Sequence, residues 1–193
     1  DGNTFAQPNA IPELLTRKLD ELQPQYEQKT AEWAGILNAA QLLYSFLDQH
    51  ESALATSMRH LKALERSGAD LQTIVAADVS VARNASQLGR LDLSEDMLRR
   101  AISRVKNPTS AQSATLHVGA ASDLAVILLL QDRRAEARAL LREARLLGGR
   151  HIPAEGQFAV LLRTIGRIEL SLDSVAALAA LQQAHAILVA RND

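Results

Sequence analysis

Four arginines, Arg134, Arg138, Arg142 and Arg145, follow one another at intervals of four, four and three residues, which places them on one face of a helix. Guanidinium groups arrayed in this way form a ridge suited to anions such as acidic peptide, phosphate or nucleic acid. Arg99, Arg100 and Arg104 make a related cluster earlier in the chain. The competing reading is a solvated outer face, neutralised in part by Glu136, Glu143, Glu95 and Asp96, and it is the preferred one. Nucleic-acid modules add stacking aromatics, and only Phe158 lies nearby in this half of the chain. Nucleic acid is therefore disfavoured as a partner.

Other residue types able to do chemistry are scattered. The five histidines are His50, His60, His117, His151 and His185. None forms a helical pair at metal-ligand spacing with a suitable carboxylate. His151 and Glu155 are four apart, but Pro153 intervenes and the segment reads as a loop. Nucleophilic hydrolysis needs a base and an orienting group beside the nucleophile, yet no serine sits in a G-x-S-x-G turn. Gly148-Gly149-Arg150 has no following Lys-Ser or Lys-Thr, so it reads as a helix end and not as a phosphate loop. With no cysteine there is no disulfide, thiolate metal site or cysteine nucleophile. The expectation is a non-enzyme with no catalytic residue, no metal and no cofactor.

The elements that must position these side chains are helices. Hydrophobic residues make up 47% of the 193-residue chain and aromatics only 3%. Ala and Leu dominate the apolar set, and both lose little rotamer freedom in a helix. A net charge of −1 gives no global field toward polyanions. The longest uninterrupted apolar run, Leu124 to Leu130, is too short to span a bilayer, so no membrane insertion is expected within the chain. Residues 1–9 read as a flexible lead-in with no basic region followed by an apolar stretch, so the sequence as given holds no signal peptide. Prior removal of one, or excision from a larger protein, stays open. A short helix then runs from Ile11 to Leu22, and a long one from about Tyr26 to Gln49 with its partner from Glu51 to Glu65. Further helices are predicted at Asp70–Leu88 and Ser94–Val105, at Ser110–Leu130 and Ala135–Leu147, and at Pro153–Leu170 and Ser174–Ala190. The connections are short, so successive helices form antiparallel hairpins at roughly 24–66, 69–106, 109–148 and 152–190 within one domain, 10–193.

The second helices of these pairs superimpose in sequence. Ser94, Leu98 and Ala101 match Ala137, Leu141 and Ala144, which match Ala177, Leu181 and Ala184. Ser57, Leu61 and Leu64 form a weaker version. Small residues let helix backbones approach and Leu fills the groove between them, and recurrence near every ~40 residues is the mark of stacked hairpins. With Leu124-Ala125, the turn Gln131-Asp132-Arg133 and the following Arg134-Ala135-Glu136-Ala137, the chain resembles the tetratricopeptide-repeat family. Ala82, Gly89, Ser94, Leu98 and Ala101 occupy the comparable places one repeat earlier. The family's first-helix aromatics are missing, and the spacing exceeds its standard ~34 residues. Such divergent repeats are similar to those in bacterial regulatory proteins, including sensor regions ahead of diguanylate cyclase domains and regulatory regions of transcription activators.

The resemblance implies an all-α fold of antiparallel helix hairpins stacked as a right-handed superhelix, an α-solenoid. It implies a partner groove lined by first helices, carried here by Arg83, Ser86, Gln87, Ser122, Arg163 and Arg167, with apolar contact from Leu129 and Leu130. The expected function is binding of a protein or peptide, as the regulatory or sensor region of a bacterial signalling protein. The alternative is a chaperone or assembly adaptor for a secretion or multiprotein complex. The last helix is strongly apolar (Val175, Leu178, Leu181, Ile187, Leu188, Val189), which suggests a homodimer contact or continuation into another segment. A cytoplasmic location is expected, with the periplasm as the alternative.

Overall fold

The computed structural model describes residues 10–26, 28–152, 156–170, 172 and 174–190, so the lead-in 1–9, Pro153 and the final 191–193 lie outside it. The described residues form nine α-helices and one 3-10 turn, with no strand. The chain divides into two compact units, residues 1–89 and 90–193. The first holds α1 (Ala10–Leu22), the 3-10 turn Gln23–Tyr26, α2 (Thr30–Phe46), α3 (His50–Ser67) and α4 (Leu71–Gln87). The second holds α5 (Leu91–Arg104), α6 (Ala111–Leu130), α7 (Arg134–His151), α8 (Gly156–Glu169) and α9 (Ser174–Val189).

Local chemistry explains several boundaries. Asp70 caps α4 by accepting from the backbone N–H groups of Gln72 and Thr73, each at 3.0 Å. Ser110 and Ser113 form a reciprocal capping box that opens α6. Gly68 ends α3 in the left-handed region, φ 67°, where glycine carries no Cβ penalty. The long helix expected from Tyr26 begins instead at Thr30, because the chain around Pro24 tightens into the 3-10 turn.

Three turns between consecutive helices repeat in backbone angles. Asp48, Gly89 and Asp132 are all left-handed, with φ of 55°, 69° and 59°. The residues that follow, Gln49, Arg90 and Arg133, have ψ of 64°, 65° and 57°. Aspartate tolerates this region better than most side chains. In two of the turns the third residue donates back into the first helix, Gln49 N–H to Tyr44 O at 2.9 Å and Arg133 N–H to Leu128 O at 2.8 Å.

In the second unit α6 packs on α5, α7 and α8, and α8 packs on α7 and α9. The aligned triplets form its seam: Ser94, Leu98, Ala101, Ala137, Leu141, Ala144, Ala177 and Ala184 are buried, and Leu181 is half-buried. The weaker version Ser57, Leu61 and Leu64 is buried in the first unit too. By length and composition α6 could cross a membrane, yet 56% of that stretch is buried in the fold. Its apolar character is that of a central helix.

Gly148-Gly149 do not end α7, as the sequence reading expected; the helix continues to His151. Gly148 is buried and faces the Phe158 ring of α8, so the glycine serves close approach and not chain reversal. Gly166 plays a related part against α9, where an added Cβ would lie 2.8 Å from Leu181 Cγ.

The first unit buries a polar chain. Ser80 Oγ donates to Gln41 Oε1 at 3.3 Å, and Gln41 Nε2 faces His60 Nδ1 at 3.5 Å. Burial pushes the His60 pKa below its ordinary 6.5. A depressed histidine pKa means that the unfolded chain takes up the proton first. The stabilisation is therefore complete above pH ~6.5 and is lost as pH falls through and below that value. Urea midpoints of the first unit, followed by Trp33 emission, should drop between pH 7 and pH 5. His60→Gln should flatten that dependence; an equal slope in the variant would remove His60 as its source.

Candidate functional site

Among the described residues no group of three His, Asp or Glu side chains could hold a metal ion. His60 and His117 are buried, and His117 Nδ1 donates to Val105 O at 3.1 Å, tying the end of α5 to α6. His151 and His185 are exposed and His50 is half-buried, while Glu155 lies outside the described residues.

The arginine quartet of α7 does not act as one ridge. Arg138 donates through Nη2 to the Leu172 carbonyl between α8 and α9. Arg145 reaches Gln183 Oε1 at 3.3 Å and Ala176 O at 3.5 Å. Both are half-buried and link α7 to the following hairpin. Arg134 is exposed and bonds Asp132 at 3.0 Å. Arg142 alone of the four is exposed without a partner among the described residues. The helical spacing was sound, but a half-buried edge of the face meets the next hairpin, and its carbonyls take the guanidinium donors.

A charge network in the second unit centres on Arg133. Its Nη1 lies 2.6 Å from Glu95, its Nε lies 2.7 Å from Glu136, and Arg99 bonds Glu95 at 2.7 Å. Burial works to raise the Glu95 pKa, but hydrogen bonds from Arg99 and Arg133 outweigh it and hold the carboxyl below its usual range. Hydrogen bonds to the Glu136 and Glu95 carboxylates push the Arg133 pKa up. Glu95 and Glu136 thus serve a pairing between α5 and α7 and are not open to an incoming cation.

The six groove residues fall in both units and are described separately. On α4, Arg83 and Gln87 are exposed and Ser86 is half-buried. On α8, Arg163 and Arg167 are exposed, one turn apart, and neither has a partner among the described residues. Val160 and Thr164 continue their exposed stripe. Ser122 does not belong to an open face. It is buried, and its hydroxyl donates to the Val118 carbonyl one turn back at 2.8 Å. The outward stripe of α6 runs through Gly119, Asp123, Val126 and Leu130, one residue out of register with the expectation. Leu130 is exposed, whereas Leu129 is half-buried.

A second feature escaped the sequence reading. In the first unit Arg59, Lys62 and Arg66 of α3 border a cleft of about 310 Å3 walled by Tyr26, Trp33 and Pro24. Their spacing of three and four residues was visible, but the aromatic wall comes from a distant segment.

No family model matches the chain, and no curated protein matches it. Solved structures do. BtubC (BKLC) from P. vanneervenii is similar with a TM-score of 0.67 at 14% identity, over 97% of this chain and 74% of that one. A kinesin-light-chain-type protein of Podosopora anserina with nearly identical TPR-like repeats is similar with a TM-score of 0.53 at 14% identity, over 97% of this chain and 99% of that one. A form of that protein with one residue substituted gives a TM-score of 0.54 over the same shares. The fold of this chain is the all-α, TPR-like helical-repeat fold.

Proposed function

We propose that this chain is a non-enzymatic module that binds a protein or peptide on the outward faces of its first helices, as the regulatory or sensor region of a bacterial signalling protein. A diguanylate cyclase output is one such setting. The observation that supports it is on α8. Arg163 and Arg167 are exposed cations without partners among the described residues, on a helix that packs against α6 with its exposed Val126 and Leu130. Mixed cationic and apolar surface suits recognition of a side-chain pattern, because charge steers the encounter and apolar contact holds it. On α4, Arg83 and Gln87 offer a comparable polar surface.

The test is capture of partners on the immobilised chain, followed by affinity measurement for the captured species. Arg163→Glu with Arg167→Glu should weaken binding about tenfold, a loss near ~1.4 kcal/mol, with helicity unchanged. Unaltered affinity would remove the α8 face from the site.

One observation favours the adaptor reading. Phe46 is 84% exposed and Leu42 61% exposed on α2, an apolar surface suited to holding a subunit of a larger complex. In that case Phe46→Ser abolishes capture and the α8 variant leaves it intact. Val175 and Leu178 of α9 are exposed as well, and would suit a helix of a second copy.

A further inference from the structure

The cleft of the first unit combines features that the face of α8 lacks. Tyr26 and Trp33 stack with ring centroids 6.1 Å apart at 23°. The Arg59 guanidinium lies 5.6 Å from the Trp33 ring centroid. It is fixed there, because Nη2 donates to Gln23 Oε1 at 2.6 Å and Nη1 lies 3.6 Å from Asp20. Lys62 and Arg66, one turn apart further along α3, are exposed and have no partner among the described residues. The cleft thus has an ordered aromatic and apolar wall at one side and two uncompensated cations at the other.

We propose that this cleft binds an acidic peptide segment. An apolar side chain of the segment packs against Pro24 beside the Tyr26 ring, which Trp33 and Lys29 already engage, and neighbouring carboxylates pair with Lys62 and Arg66. Three observations select this ligand. Trp33 is only 8% exposed and its ring is already engaged by Tyr26 and Arg59, so no open indole face remains for a nucleobase to stack on. Arg59 is committed to Gln23 and Asp20, so the remaining cations do not close a cage around one compact anion such as phosphate. Two cations a helical turn apart match carboxylates spaced along an extended chain, and the apolar wall supplies the burial that a purely ionic contact in water lacks. The site belongs to the first unit and does not depend on the role given to α8.

Trp33 is the only tryptophan in the chain, so its emission reports on this cleft directly. The full chain is titrated with a fluorescein-labelled hexapeptide of alternating leucine and glutamate, reading anisotropy and Trp33 emission together. Parallel titrations use the leucine–lysine and leucine–glutamine hexapeptides, inorganic phosphate and an oligothymidylate. Saturable binding of the glutamate peptide with a change in Trp33 emission is expected, and little binding of the others. Lys62→Glu with Arg66→Glu should weaken it about tenfold, while Arg150→Glu, a charge reversal on exposed α7 surface, leaves it unchanged. Circular dichroism verifies that each variant keeps its helix content. The proposal is overturned by absent saturation, by equal affinity in the Lys62/Arg66 variant, or by phosphate or oligothymidylate matching the glutamate peptide.

Discussion

Leu141→Ala should destabilise the second unit by roughly 2–5 kcal/mol, the range for truncating a fully enclosed leucine where the surroundings cannot collapse. Leu141 has no solvent exposure and sits between Ala137 and Ala144, which are equally enclosed. Those alanines have no rotamers with which to fill the void, so little relaxation is available. The loss is the transfer energy of the removed methyl groups together with the cavity they leave. Leu146→Ala on the same helix is the control: Leu146 is 66% exposed, and its truncation should change stability by no more than about 0.5 kcal/mol. Urea unfolding followed by far-ultraviolet circular dichroism reads both. Similar midpoints for the two variants would mean that the Ala/Leu seam does not hold the hairpins together.

Two adjacent glycines should respond with opposite sign. A Cβ at Gly148 would lie 2.9 Å from Phe158 Cδ2 and closer still to Cε2, against a ring with no solvent exposure. The ring has no open space to move into, so Gly148→Ala should cost about 1–3 kcal/mol through displacement of α8 from α7. At Gly149 nothing stands within 4 Å of the added carbon, and its φ is not in the left-handed region. Gly149→Ala should therefore stabilise α7 by up to ~1 kcal/mol, because alanine loses less backbone freedom on entering a helix. Phe158→Leu should relieve part of the Gly148→Ala penalty, with a coupling of about 0.5–3 kcal/mol in a double-mutant cycle. Equal effects at the two positions would disprove the close α7–α8 contact.

These glycines show where the sequence was legible and where it was not. The hairpins could be read because the spacing of Ala and Leu in Ala137, Leu141 and Ala144 follows from helix geometry alone. A glycine pair near a helix end carries two meanings, terminator and contact point, and only the ring of Phe158 decides between them. The burial of Ser122 is not legible locally, because α6 is apolar nearly all round, which leaves no polar stripe to fix its rotation. The arginines of α7 shared a face as expected, but Leu172, Ala176 and Gln183, which receive Arg138 and Arg145, come from a hairpin whose position no local pattern records. The α3 cleft stayed hidden for the same reason, since Arg59 meets Trp33 only after the chain has doubled back.

The joint at Asp48, Gly89 and Asp132 is specified by torsion angles that two different residue types can satisfy. Selection acting on such a joint preserves an angle and leaves the letter free to drift. Helices connected in this way can be duplicated and then diverge until their spelling no longer betrays a common origin. Kinship in chains of this kind endures longest in the backbone.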